Sequence, residues 1–166
     1  NLRQGPAWPE PQAGDLAVAI GSPPGVMLAG DIDPAMIALA RANAARAGLD
    51  AQAIRFTVGA FEQLTPPAGT PGMIVSNPPY IRQDDPHMAA LRHEPRQALT
   101  SGADGLDDIR TIAAQAPAHL HPGGWLLLEH GWDQAEAVQT LLRQAGFAHV
   151  SSRQDLAGQW RCTGGQ

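Results

Sequence analysis

Short apolar runs alternate along this chain with Pro- and Gly-rich breaks, and between some of them apolar residues recur at helical spacing. Val26-Met27-Leu28-Ala29-Gly30 leads into Asp31-Ile32-Asp33-Pro34. That order predicts a strand and then a helix, with Asp33 as its cap and Pro34 as its first residue. Met36, Ile37, Ala40 and Ala44 carry the helical spacing, and Gly48 ends it. Ile54 to Val58 alternates like a strand. After a Pro- and Gly-rich loop from Thr65 to Gly72, Met73-Ile74-Val75-Ser76 reads as a short buried strand. Strand, helix and strand joined by short connections predict an α/β fold with a parallel sheet.

Downstream, Ile81 to Gly105 is polar and too long for a simple connector, so a functional loop or lid is expected. Leu106 to Ala116 predicts a helix, Pro122-Gly123-Gly124 a turn and Trp125 to Glu129 another buried strand. Gln134 to Gln144 predicts a helix closed by Gly146. Phe147 to Arg153 and Gln159 to Cys162 predict an antiparallel pair of strands at the sheet's edge. Upstream of Val26 the pattern fails. Residues 1–25 are read as an irregular segment, within which Asp15 to Ile20 fits a strand or a helix start equally well.

Composition narrows the class. The 166 residues suit one domain, and 43% hydrophobic with 16% charged residues suits a globular core. A net charge of −5 argues against a protein that grips phosphate backbones unaided, so no direct nucleic-acid binding is expected. The single Cys162 excludes an internal disulfide. No apolar run is long enough for a bilayer and no signal peptide is evident, so no membrane partner and a cytoplasmic location are expected.

The chemistry concentrates in Asn77-Pro78-Pro79-Tyr80, directly after the strand Met73–Ser76. Each proline lacks an N–H and has a fixed φ, so the chain leaves the sheet in a stiff extended form. The Asn77 side chain and the Pro78 carbonyl then stand as acceptors at a strand's carboxyl end, where ligands bind in open α/β sheets. Two such acceptors can hold both hydrogens of a planar NH2 group and turn its lone pair towards an electrophile. Tyr80 can pack on the planar group. The plain alternative is a proline-rich turn after a core strand.

Asp31, at the end of a strand, can bind the two ribose hydroxyls of a nucleoside cofactor or serve as an ordinary cap. Glu129 has the same two readings. None of the six histidines has metal-site spacing, His119-x-His121 included, so no metal is expected. The hydrolase elbow and the P-loop lack their defining residues. Arg92-His93-Glu94-Pro95-Arg96 reads either as a solvated charge cluster or as a lid contact.

Asn77-Pro78-Pro79-Tyr80-Ile81 resembles the signature of S-adenosylmethionine-dependent methyltransferases acting on amide or amine nitrogen. Arg92-His93-Glu94-Pro95, Ala98 to Leu106 and Gly123 to Gly131 narrow the resemblance to the glutamine N5-methyltransferases of peptide-chain release factors, from about Val26 to Arg161. That resemblance implies a Rossmann-like seven-stranded sheet with an antiparallel C-terminal edge, spanning 26–166 as a single domain. It implies S-adenosylmethionine as cofactor and a release factor's Gly-Gly-Gln loop as substrate, for a monomeric enzyme. Asn77, Pro78 and Tyr80 would be the catalytic residues, with Pro79 completing the substrate contacts. Asp31 and Asn77 would contact the cofactor.

Three family features have no match here, one of them the separate N-terminal helical domain that helps bind the release factor. The Asp-x-Gly-x-Gly-x-Gly loop is not found upstream of Val26, where Asp15-Leu16 is followed by Ala-Val-Ala-Ile. The acidic residue that the family carries after its third strand, in the adenine pocket, is missing from Val58-Gly59-Ala60. Residues 1–25 are therefore expected to be pieces of a longer chain joined across missing segments. Two other readings stay open: methylation of another protein glutamine or a nucleic-acid amine, and a binding module that kept the substrate pocket without the cofactor loop.

Overall fold

A computed structural model describes residues 27–31, 33–49, 54–59, 72–86 and 99–166. The expectations for residues 1–25, for the Thr65–Gly72 loop short of Gly72, and for the Arg92–Arg96 cluster lie outside these residues. Within them the chain falls into two compact units: 75–86, 99–117 and 125–166 form one, and 27–31, 33–49, 54–59, 72–74 and 118–124 the other.

In the second unit, strand β1 (Met27–Asp31), helix α1 (Pro34–Arg46) and strand β2 (Ile54–Val58) make a βαβ unit. β1 and β2 are parallel, with Met27 opposite Ile54 and Asp31 opposite Val58. A parallel pair needs such a crossover because a tight turn cannot reverse the chain twice. The Asp33 carboxylate accepts the Ala35 amide at 2.7 Å and Pro34 opens the helix, as the local sequence predicts. Ile37 is buried and Ala40 and Ala44 are half-buried, whereas Met36 is exposed. A helix with so many alanines has a narrow apolar stripe, and Met36 lies beside it. Arg41 crosses from α1 to β2, donating to the Phe56 carbonyl at 2.9 Å with its guanidinium 5.0 Å above the Phe56 ring.

A four-stranded sheet has the order β3-β4-β6-β5, from β3 (Met73–Ser76), β4 (Trp125–Glu129), β5 (Ser151–Gln154) and β6 (Trp160–Gly165). β6 runs antiparallel to both β4 and β5. The expected antiparallel pair is present, with shifted limits. β5 starts late because Phe147 turns inward after the helix stop at Gly146, and His149 takes a positive φ of 51°. β6 runs on to Gly165, where a Cβ would stand 2.8 Å from Phe147 Cβ, so only glycine lets the two segments close.

Helices α2 (Asp107–His119) and α3 (Ala135–Gln144) supply the core of this unit. Ile109, Ile112, Ala113 and Ala116 form the buried stripe of α2, while Val138 and Leu142 are buried on α3. Leu126 and Leu128 of β4 alternate with less buried neighbours, as strand geometry requires. Each fully buried leucine contributes about 1.5–3 kcal/mol of transfer free energy. The described strands number six, in sheets of two and four, and the mixed α/β character agrees with the expected class.

Candidate active site

Strand β3 delivers the chain to Asn77. Ile74 is buried and anchors the strand, Pro78 is buried just beyond it, and Asn77 between them is exposed. Pro79 and Tyr80 are half-buried. The Asn-Pro-Pro-Tyr span is thus seated by its prolines while the Asn77 amide faces outward.

Beyond Tyr80 the chain pairs again. Ile81 bridges Thr100 in parallel fashion, with the Ile81 amide donating to the Leu99 carbonyl at 2.9 Å and the Ser101 amide to the Ile81 carbonyl at 3.0 Å. Gln83 donates to the Gly102 carbonyl at 3.1 Å. The polar region expected to be a lid therefore has stems zipped together at 81–83 and 99–102. Its middle, 87–98, lies outside the described residues.

The second stem continues into the start of α2. Ser101 Oγ accepts the Asp108 amide at 2.7 Å and contacts Asp108 Oδ2 at 2.5 Å. Arg110 pairs with Asp104 and Asp107, and its hydrogen bond holds the Asp104 carboxyl below its ordinary range.

The turn between β4 and α3 closes on the same span. Gln134 is buried, and its Nε2 donates to the Tyr80 carbonyl at 3.0 Å and the Asp104 carbonyl at 3.2 Å. Its Oε1 accepts the Gly131 amide at 2.8 Å. Arg82 and Asp133 form a more exposed ion pair at 2.7 Å beside it. The sequence reading missed Gln134, Asp133 and Arg82. One signal was available: Gln134 holds the N-cap position of α3, where Ser, Thr, Asp or Asn is preferred, and its side chain makes no cap hydrogen bond.

Asp31 belongs to the other unit and is exposed at the carboxyl end of β1. Its Oδ1 accepts the Asp33 amide at 2.8 Å, tightening the strand-to-helix turn. Asp33, not Asp31, caps α1. The exposed Asp31 carboxylate therefore retains acceptor capacity towards solvent, which fits vicinal hydroxyls of a nucleoside. Glu129 is exposed at the end of β4, opposite Cys162 of β6. Burial first, and the Glu129 charge second, push the Cys162 thiol up, which makes it a poor nucleophile. Among the described residues no three His, Cys, Asp or Glu side chains cluster as metal ligands.

The described strands and helices define an α/β protein. A family model for the RMKL-like methyltransferase domain matches residues 19–100. A methyltransferase from Pyrococcus furiosus superposes with a TM-score of 0.60 at 19% identity, covering 84% of this chain and 60% of that one. At that identity the likeness concerns the fold alone.

Curated relatives of this chain are named release factor glutamine methyltransferase. The chain is 47% identical over 152 residues to the protein of that name from Bordetella pertussis, covering 90% of this chain and 55% of the relative. It is 48% identical over 153 residues to that of Xylella fastidiosa strain Temecula1, covering 91% and 54%. The chain thus spans about half the length of the curated relatives it matches.

Proposed function

We propose that the protein transfers a methyl group from S-adenosylmethionine to the side-chain amide nitrogen of the glutamine in a release factor's Gly-Gly-Gln loop. The observation that carries this reading is the exposed Asn77 on a seated Asn-Pro-Pro-Tyr span at the carboxyl end of β3, in a chain whose relatives are named for this reaction. In this reading Asn77 Oδ1 and the Pro78 carbonyl accept the two amide hydrogens. Pro79 and Tyr80 line the approach of the glutamine, and Tyr80 packs on its planar amide.

Held in this way, the glutamine nitrogen presents its lone pair instead of delocalising it fully into the carbonyl. No strong base is needed, because the nitrogen gives up its proton after the new N–C bond forms. The bound cofactor supplies the activated methyl group. Asp31 would hold its ribose and Asn77 is assigned a cofactor contact of its own, and the protein's contribution to rate is mainly orientation.

The same reading assigns 26–166 to the methyltransferase domain and 1–25 to an irregular segment. It completes the described strands into a seven-stranded Rossmann-like sheet. It also places the protein in the cytoplasm as a monomer without direct nucleic-acid contacts, in keeping with its net charge of −5. Among the described residues no helix is long and apolar enough to cross a membrane.

The test is to incubate the full-length gene product with S-adenosylmethionine and an unmethylated release factor, then digest and weigh the peptides. The Gly-Gly-Gln peptide should gain the mass of one CH2. Cofactor binding without that gain would overturn the substrate assignment.

A further inference from the structure

We infer that Gln134 is a positioning residue for the reaction, setting where the Asn77–Tyr80 span sits; the inference rests on the function proposed above. A flexible loop could not hold a planar amide in one orientation, so the question is what fixes the span at each end. Its near end leaves β3 after Ser76. Between the ends, Pro78 and Pro79 have fixed φ and behave as a stiff rod. Displacement of the far end at Tyr80 is therefore carried to Asn77 instead of being absorbed on the way.

Gln134 grips that far end. Its amide orientation is settled by its partners, because Gly131 offers an N–H and both Tyr80 and Asp104 offer carbonyls. Nε2 directs its two hydrogens at the Tyr80 and Asp104 carbonyls, with the Gly105 carbonyl a longer third acceptor at 3.5 Å, while Oε1 takes the Gly131 amide. A single buried side chain thus joins three segments: the end of the Asn-Pro-Pro-Tyr span, the loop before α2 and the turn after β4. Gly105 closes the joint from the other side with φ +76°. A Cβ there would stand 2.3 Å from the Tyr80 carbonyl oxygen and 2.8 Å from Gln134 Nε2.

The clamp is also well placed energetically. Removing a buried amide leaves its former partners unsatisfied in a place that water does not reach. The Tyr80 and Asp104 carbonyls would then rotate towards water, and the rigid span would follow. Misplacement of a reacting group by about 1 Å can lower turnover about 10²-fold.

The experiment compares the full-length wild type with Gln134→Met, which keeps the volume and removes the hydrogen bonds. Three quantities are read: kcat and KM for release factor methylation, the Kd for S-adenosylmethionine, and amide hydrogen exchange. The expected result is a fall in kcat of about 10- to 100-fold. KM and Kd should change less than about threefold. Exchange should quicken at Ile81, Gln83 and Ser101 while the β4 and β6 amides stay protected.

Unchanged kcat and unchanged exchange at those three amides would overturn the inference. So would faster exchange throughout β4 and β6 together with a lower Tm, which would make Gln134 a structural residue only. If Gln134→Met does not fold, Gln134→Glu keeps an acceptor for Gly131, loses the paired donors and is read by the same criteria. If the wild type itself fails to methylate the release factor, the proposed function falls separately. The exchange data then decide the clamp: quickening confined to those three amides upholds it, and no quickening overturns it.

Discussion

His130 Nε2 lies 2.7 Å from the Thr163 hydroxyl, and the surrounding network settles which of the two donates. His130 Nδ1 is 2.8 Å from the Gly131 carbonyl, which can only accept, so Nδ1 carries the proton. Nε2 of the neutral ring then accepts from Thr163. Thr163 accepts in turn from Ser152 at 2.7 Å, and Ser152 from Gln139 Nε2 at 2.8 Å. The chain is fully directed and built around a neutral, completely buried imidazole.

This arrangement predicts a pH dependence of stability. Burial chiefly, and the Arg161 charge to a lesser extent, lower the His130 pKa from 6.5; the Gly131 carbonyl, Glu129 and Asp133 oppose the shift. The unfolded chain therefore binds a proton in a range where the folded protein does not, and stability falls as pH drops below about 6.5. Above that range His130 contributes no pH dependence. Urea midpoints at about pH 5.5 and 7.5 should differ more in the wild type than in His130→Gln. Equal differences would show that another group controls the slope.

Thr163→Val removes the hydroxyl at nearly constant volume, leaving His130 Nε2 without its donor and the Ser152 hydroxyl without its acceptor. A loss of about 1–3 kcal/mol is expected, read from chemical denaturation. A change within about 0.5 kcal/mol would mean that Ser152 re-pairs with His130 on its own.

Asn77→Ala tests the proposed hold on the glutamine amide. Loss of one preorganised hydrogen-bonding group in a reaction site typically lowers turnover about 10²- to 10³-fold. Cofactor affinity should stay nearly unchanged, because Asn77 is assigned mainly to the acceptor. A cofactor Kd that rises together with the loss of turnover would move Asn77 to the cofactor side.

Asp31→Ala tests the ribose assignment in the other unit. Hydrogen bonds to a charged carboxylate are worth about 1.5–3 kcal/mol, so the Kd for S-adenosylmethionine should rise about 10- to 100-fold. Asp31→Asn keeps an acceptor for the Asp33 amide and separates the turn's contribution from that of the ligand. An unchanged Kd in both variants would leave Asp31 as a turn residue alone.

How far the sequence reached depended on how local the cause was. The limits of β2, β3 and β4 follow from apolar runs bounded by Gly, Pro or polar residues, and the start of α1 follows from Asp33-Pro34. Those causes lie within a few residues of their effect. The late start of β5 and the far reach of β6 depend on Phe147 meeting Gly165, eighteen positions away, which no local window contains. Asn77 and Asp31 stood out because a strand end marks them in the sequence. Gln134 did not, since its partners Tyr80 and Asp104 are distant in the chain and an unusual residue at a helix start does not reveal them.

The Arg82–Asp133 pair gives the last prediction, and here a small effect is expected. It ties the residue two after Tyr80 to the residue before Gln134, so by position alone it rivals the Gln134 clamp. Its side chains are 51% and 37% exposed, however, and water competes for both charges. An exposed pair of this kind contributes about 0–1 kcal/mol and weakens with salt. Asp133→Asn should therefore shift stability by less than about 1 kcal/mol and leave turnover within about threefold of wild type. Turnover measured at low and high ionic strength should give the same ranking of variants. A loss in Asp133→Asn as large as that in Gln134→Met would mean that the surface ion pair holds the span as firmly as the buried amide does.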